Sequence, residues 1–580
     1  MTKNLPKLCI IFTNAILAFT IAILLFSTLF YIFKIPIQTY ILIPAILVTC
    51  LFVFWNSKYY FEKHHLIPIC IILFLCLVLF AAALLICSRF RELPSDGQTY
   101  QTEARLLFAN GFNPFYDHTA DARIDQYPIG PWVYGTIIYL LTGSIDSSRI
   151  FNILFWAGGI FAAFAYFASI FKKNVSLVIF LSLICVLNPV VITQSLSFYV
   201  DGQFTLMLLI VIAFSLLLSN KFDPPVLLGL VMAVILAINI KLTGILYVGI
   251  LGGGILFWDI LFNRWIPGIN GHLMRSGPYQ FIKYLWKSLN INDKMWITGL
   301  AGSGAIGVGF FGYPAYIQPP FEYGSFIGYF NKWDQALLKI NQLPSNWVNL
   351  SALQKFVLSL FSESMVTSNI ELNVKWPLMF SKEELISFIF CDHLSGGFGP
   401  LFGSVIGITI LAIPFVIILA WRSKNHNMQY LLGLPLLIII STLVTSMPWI
   451  SRFVPQFWWF PIFIVASLLL LNDRLQAGRC IAWIIIAFMF YNSFLVSFSN
   501  YSQHRQVTIE LNNQFNLMKK EGKREPLLFY NANRTYLSTY LKENNVQFIS
   551  VKDSKGICPE GMIKSKLPYP VNDAWFCFRN

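Results

Sequence analysis

Two aspartates, a lysine and an arginine stand at the ends of apolar runs in this chain, where a charge is costly and so needs a reason. Asp96, in Ser95-Asp-Gly-Gln, follows an apolar run that closes near residue 88. At a helix start the dipole favours its ionised form, and a carboxylate beside a membrane cavity can take the proton of an acceptor hydroxyl attacking a sugar's anomeric carbon. The position suits a plain helix-start charge equally, and Glu103, Asp117, Asp121 and Asp125 follow in the same loop, so position alone does not single Asp96 out. Asp201, after Leu187-Asn-Pro and the residues up to Val200, begins the apolar run at 202–219 at its outer end, where an acid calls for a polar cavity to face. A capping or interfacial acid is the alternative.

Lys241 interrupts a long apolar stretch in Asn239-Ile-Lys-Leu-Thr-Gly, and Arg452 precedes another in Ser451-Arg-Phe-Val-Pro. Fixed cations in a low-dielectric site stabilise a departing phosphate, and snorkelling to headgroups is the competing use of either side chain. No Walker loop, HExxH or GxSxG occurs. Gly252-Gly-Gly254 lies inside an apolar run with no Lys-Ser or Lys-Thr after it, so it is no phosphate cradle.

The elements that must position these residues are membrane helices. The chain has 580 residues, of which 56% are hydrophobic and 12% charged, too few polar groups to cover a water-soluble body of this size. Apolar runs of roughly 17 to 25 residues recur near 8–32, 38–55, 66–88, 150–171, 175–193, 202–219, 225–260, 295–312, 399–421, 429–447, 455–471 and 480–497. With 225–260 split at Lys241 they predict about thirteen transmembrane helices. The first run exceeds a signal-peptide core and is followed by Lys34-Ile-Pro-Ile rather than a cleavage site, so a retained helix is expected.

Short basic clusters, among them Lys3 with Lys7, Lys58 with Lys63, and Arg474 with Arg479, place the N-terminus in the cytoplasm. The net charge of +14 then follows from topology and attraction to anionic headgroups, and no basic module points to nucleic acid.

Three segments fall outside and exceed mere connectors: 89–149, 313–398 and 498–580. In the first, Ser95 with Gln98 reads as a capping box for a helix to about Ala109, and 132–141 as an interfacial helix. In the second, helical patterning covers 313–321, 336–340 and 353–360. The predicted domains are a transmembrane unit over 1–500 and a small external α/β unit over 501–580, with helices at 510–520 and 535–542 and strands at 526–530 and 546–551. Of ten cysteines most lie in apolar runs; Cys558 and Cys577 lie in the external tail, where an oxidising compartment favours a disulfide. No His/Cys spacing suits a structural zinc.

The order of these motifs resembles the GT-C superfamily of integral membrane glycosyltransferases, in particular the branch of protein O-mannosyltransferases and the lipid A aminoarabinose transferase. The similarity covers about 66–260, with an echo near 445–465. It rests on Asp96-Gly-Gln-Thr-Tyr100, Ala104, Gly111-Phe-Asn-Pro114, Tyr127-Pro-Ile-Gly-Pro-Trp-Val-Tyr134, Gly143, Arg149, Asn188-Pro189 with Asp201, Lys241-Leu-Thr-Gly244 and Arg452-Phe-Val-Pro455. Gly97 stands where the family commonly has a second acid, which argues against a two-carboxylate or metal site. Two apparent spans also precede the family's usual first helix.

The resemblance implies a GT-C-like fold and inverting transfer of a hexosyl or pentosyl group from a polyprenyl-phosphate donor to a glycan, lipid or protein acceptor, on the outer face of a bacterial inner membrane. Asp96 is then the base and Asp201 shapes the acceptor side; Lys241, Arg452, Tyr100 and Tyr127 bind substrate, and neither metal nor cofactor is required. A glycan polymerase or ligase would concentrate arginines and histidines in the late loop, where 313–398 offers His393 and no arginine. A lipid-linked sugar flippase or transporter would show internal repeats and a charged path open to both faces.

Overall fold

Backbone groups cannot be left unpaired in lipid, so apolar runs of this length must close their hydrogen bonds within helices. In the computed structural model every run does so. The structure describes residues 4–172, 174–265, 287–323, 344–366, 371–372, 374–421, 427–470, 476–523, 526–530, 533–551, 558, 562–570 and 573–579.

Six described helices are long and apolar enough to cross a membrane: Leu5–Ile32, Thr39–His64, Leu66–Arg89, Ile145–Ile170, Asp201–Asn220 and Gln476–Glu521. The pair Ile291–Phe311 and Tyr313–Glu322, bent by 86°, counts as a seventh if taken together. The remaining predicted spans, such as Val175–Val186 and Pro224–Ile240, are apolar helices of 10–17 residues. The runs expected to span are thus helical, and several of the helices, Val175–Val186 and Pro224–Ile240 among them, are shorter than the roughly 20 residues a straight crossing needs.

Asp201–Asn220 is the central helix, with 89% of its apolar window buried; Leu66–Arg89, at 11%, is peripheral and faces outward almost all round. The central helix packs on Ile150–Ile170 and Pro224–Ile240, and Leu5–Ile32 packs on the same two helices. Pro224–Ile240 stops because Lys241 takes an extended backbone (φ −148, ψ 139). Gly244 then donates to the Lys241 carbonyl at 2.8 Å. A Cβ on Gly244 would lie 2.4 Å from the Ala237 carbonyl oxygen, so the turn accepts only glycine.

The loop after Leu66–Arg89 returns over the bundle. No capping box forms at Ser95, which is already helical; the Gln98 side chain instead donates to the Glu92 carbonyl at 2.5 Å. The helix Gly130–Thr142 exists, but Gly130 to Ile138 are buried, so it is a core element and not an interfacial one. Helices Tyr313–Ile317, Gln318–Tyr323 and Ala352–Phe361 match the expected ones in the late loop, while the one at 336–340 lies outside the described residues.

The domain boundary expected at 500/501 falls inside one unbroken helix, Gln476–Glu521, that leaves the bundle and carries the tail. The tail holds β1 (Leu527–Tyr530), β2 (Phe548–Ser550), β3 (Met562–Lys566) and β4 (Trp575–Arg579) in the order β2-β1-β4-β3. β1 and β2 run parallel, joined by the helix Thr535–Glu543, and the other pairs are antiparallel. Cys558 and Cys577 are disulfide-bonded.

One buried knot joins tail, loop and bundle. Arg149 donates to the carbonyls of Cys87 (3.0 Å), Phe90 (2.6 Å), Asp146 (3.0 Å) and Leu196 (2.5 Å) and to the Asp146 carboxylate (2.8 Å). Asp146 also takes Arg91 at 2.5 Å and the Tyr536 hydroxyl of the tail at 2.9 Å. Removing one partner of a buried ion pair costs about 3–5 kcal/mol because the other charge is left uncompensated. Arg149→Leu is therefore expected to lower the thermal unfolding midpoint of the purified protein by several degrees, while Arg89→Leu, at an exposed residue with no partner among the described residues, leaves it unchanged.

Candidate active site

Asp96 is held by what lies beneath it. Gly97 follows, and a Cβ there would fall 1.8 Å from the Glu92 carboxylate, so any side chain at 97 would collide with an acid that is itself anchored. Glu92 accepts from Ser197 Oγ at 2.9 Å and from the Phe198 amide at 3.0 Å, and stands 3.5 Å from Arg149. Glycine at this position is thus a packing requirement, and the helix kinks at Thr99 (φ −102, ψ −111) as it passes over Glu92.

Asp201 and Lys241 meet although 40 residues separate them. Lys241 Nζ donates to Asp201 Oδ1 at 2.5 Å and to the Arg452 carbonyl at 3.1 Å, while Gln194 Nε2 donates to Asp201 Oδ2 at 3.0 Å. Two of the three ammonium hydrogens are thereby used. The ammonium also lies 4.9 Å from the Phe453 ring centre.

Arg452 pairs with Asp392, and the Tyr199 hydroxyl donates to the other oxygen of Asp392. The remaining guanidinium nitrogens of Arg452 have no protein partner among the described residues. Burial works against the Arg452 charge, but Asp392, Tyr199, Asp201 and Asp96 around it more than reverse that, and it stays protonated.

Asp96 faces the same group. Burial and then the Asp392 charge push its carboxyl up to about 6, against the pull of Arg452, Arg123 and a hydrogen bond with Tyr199. The aromatic residues stand on the far side: Arg123 lies 4.4 Å over the Tyr100 ring and is held by Asp121 at 2.6 Å. Tyr100 and Tyr127 each contact Trp132, with ring centres 6.4 and 6.3 Å away.

The architecture, a polytopic α-helical bundle with external loop helices and a small α/β unit, is similar to that of ArnT. The structure of ArnT from Cupriavidus metallidurans bound to undecaprenyl phosphate aligns with a TM-score of 0.38 and 14% identity, over 83% of this chain and 86% of that one. Its apo structure aligns at 0.37 and 14%, over 83% and 85%. No protein-family model matches the chain, and no curated protein does. At that distance the roles of the residues have to follow from their own geometry.

All four charged residues singled out in the sequence therefore belong to one cluster, with Tyr100 beside it and Tyr127 one ring further out. Tyr199, Asp392, Arg123 and Gln194 complete it, and none was legible beforehand. Asp392 in particular supplies the second carboxylate that Gly97 argued against; it arrives from the late loop, nearly 300 residues away in the chain. Among the described residues no group of three His, Cys, Asp or Glu side chains is placed to hold a metal ion. His393, next to Asp392, is buried, contacts Ser387 Oγ at 3.1 Å, and is kept neutral by burial, which pushes it down to about 3.

Titration of Asp96 tests this arrangement. A protonated-carboxyl infrared band that grows as pH falls through about 6 and is absent in Asp96→Asn is expected. Asp392→Asn, which removes the like charge, is expected to move that transition to lower pH, and Arg452→Gln to move it higher.

Proposed function

We propose that this chain is a glycosyltransferase that moves a sugar from a polyprenyl-phosphate donor to an acceptor hydroxyl with inversion at the anomeric carbon. The observation that carries the reading is the juxtaposition of a carboxylate base, Asp96, with two cations, Arg452 and Lys241, that keep unused N–H donors, all at the ends of membrane helices.

In this reading the donor phosphate is held by Arg452 and Lys241 while its chain lies along the apolar helices. Asp392 and Tyr199 orient the guanidinium, and Asp201 with Gln194 orients the ammonium. The acceptor oxygen attacks the anomeric carbon from the face opposite the phosphate, its proton passes to Asp96, and the bond from carbon to phosphate oxygen breaks. Both bond electrons leave with the polyprenyl phosphate, and the two cations stabilise that charge where it develops. Tyr100 and Tyr127 offer rings on which a sugar face can pack.

The raised carboxyl of Asp96 suits a base, because its conjugate acid is weak enough for the carboxylate to accept a proton near neutral pH. A lipid-linked donor suits an outward-facing site on the inner membrane, since nucleotide sugars stay in the cytoplasm. The neutral, buried His393 does not favour a polymerase or ligase, for which the late loop would supply charged arginines and histidines. The transferred group, hexosyl or pentosyl, and the acceptor, whether glycan, lipid or protein, are to be read from the assay.

The test is transfer of radiolabelled sugar from synthetic polyprenyl-phosphate donors to envelope extract. Asp96→Asn is expected to lower kcat by about 10²–10⁴-fold with donor binding kept, and Arg452→Gln by about 10²-fold or more with weaker donor binding. Because the base must be ionised, wild-type kcat/KM should fall as pH drops below about 6. Undiminished transfer by Asp96→Asn would move the chemistry to another acid, and no transfer from any such donor would sink the reading.

A further inference from the structure

Where the long helix Gln476–Glu521 leaves the bundle it runs beside the outer end of Leu66–Arg89, and the two enclose an open groove of about 730 Å³. Its floor is Phe90, whose ring packs 5.7 Å from that of Tyr501, and Thr508, which accepts the Arg91 amide at 3.3 Å. Two arginines line it, Arg89 from one helix and Arg505 from the other, and no carboxylate does. Both are exposed, and neither has a hydrogen-bond or ion-pair partner among the described residues, whereas the neighbouring Arg91 is fully engaged by Asp146 and Asn512.

The depth of the pair follows from helix geometry. At ~1.5 Å per residue, Arg505 lies about 44 Å along its helix from Gln476, and Arg89 about 35 Å from Leu66. A bilayer spans about 40–45 Å with its headgroups and about 30 Å without them, so both guanidiniums fall in the outer headgroup layer. Below Arg505 the exposed residues Tyr501, Phe498, Phe494 and Tyr491 follow at spacings of three and four, one continuous aromatic stripe on the helix. Below Arg89, Leu85 and Ile86 are exposed in the same way.

We infer that this groove binds one anionic phospholipid of the outer leaflet, its phosphate bridged by Arg89 and Arg505 and its acyl chains laid on Leu85, Ile86 and the aromatic stripe. Charge complementarity decides the occupant. Two guanidiniums line one groove with no counter-ion among the described residues, at the depth of a phosphate, above apolar surface that continues into the hydrocarbon. The site is distinct from the Asp96 cluster and does not depend on the transferase reading. It does adjoin the segment from Phe90 to Glu92 on which the Asp96 turn rests, so its occupancy braces that segment from the membrane side.

The experiment is native mass spectrometry of the purified full chain, titrated with phosphatidylglycerol or phosphatidylcholine. Wild type is expected to retain one phosphatidylglycerol in preference to phosphatidylcholine. Arg89→Gln with Arg505→Gln should bind it roughly thirty-fold more weakly, and Arg89→Lys with Arg505→Lys should recover most of the loss. An unchanged thermal midpoint in the glutamine variant shows that the fold is kept, as the exposure of both residues requires. Equal retention of the two lipids, or equal phosphatidylglycerol binding by wild type and glutamine variant, would overturn the assignment. So would displacement of the lipid by millimolar inorganic phosphate, which would make the pair a plain anion site, or by stoichiometric undecaprenyl phosphate, which would give the groove to a substrate lipid.

Discussion

The buried guanidinium of Arg149 is the interaction on which most of the structure depends. A charge removed from water must find as many partners as it has donors, and Arg149 finds them on the end of one peripheral helix, on the turn before its own helix and on the segment leading to Asp201. Those segments of chain are far apart in sequence. What fixes their relative positions is the geometry of one planar cation and of Asp146, which passes the constraint on to Arg91 and to Tyr536 in the tail.

The candidate site inherits its precision from that knot. Glu92 sits against Arg149 and supports the turn at Gly97, and that turn presents Asp96. On the other side Arg534 of the tail donates to Gln98 at 2.8 Å, and Glu543 accepts the Ile145 amide at 3.1 Å. The α/β unit is thus a wall of the loop that carries Asp96, and the unbroken helix Gln476–Glu521 makes it rigidly continuous with the bundle. A mobile appendage would be joined by a Gly- or Ser-rich linker instead.

Within the site the charges come in two mutually supporting pairs, Asp201 with Lys241 and Asp392 with Arg452, bridged by the hydrogen bond from Lys241 to the Arg452 carbonyl. Each acid neutralises a cation that the low-dielectric surroundings would otherwise not tolerate, and each cation still keeps donors to offer. Asp96 stands outside both pairs. Burial, and after it the Asp392 charge, raises its carboxyl against the pull of Arg452 and Arg123.

Composition and periodicity by themselves determined the bundle: every apolar run became a helix, because lipid leaves the backbone no other way to satisfy its groups. They also marked Asp201, Lys241 and Arg452, because a charge at the end of an apolar run is conspicuous against its surroundings; Asp96 stood among several acids of its loop, and the order of motifs in the family resemblance picked it out. They did not mark Asp392, Tyr199 or Arg123. Arg123 lies in a polar loop where an arginine has no contrast with its neighbours, Tyr199 and Asp392 lie in short loop segments outside any spanning run, and no period links residue 392 to residue 96. The continuity of the helix through residue 500 was hidden as well, since its hydropathy drops where it leaves the membrane although its hydrogen bonding does not. Pairing of distant charges, the burial that sets the acidity of Asp96, and the docking of the tail are properties of surfaces brought together by packing, and only the tertiary structure decided them.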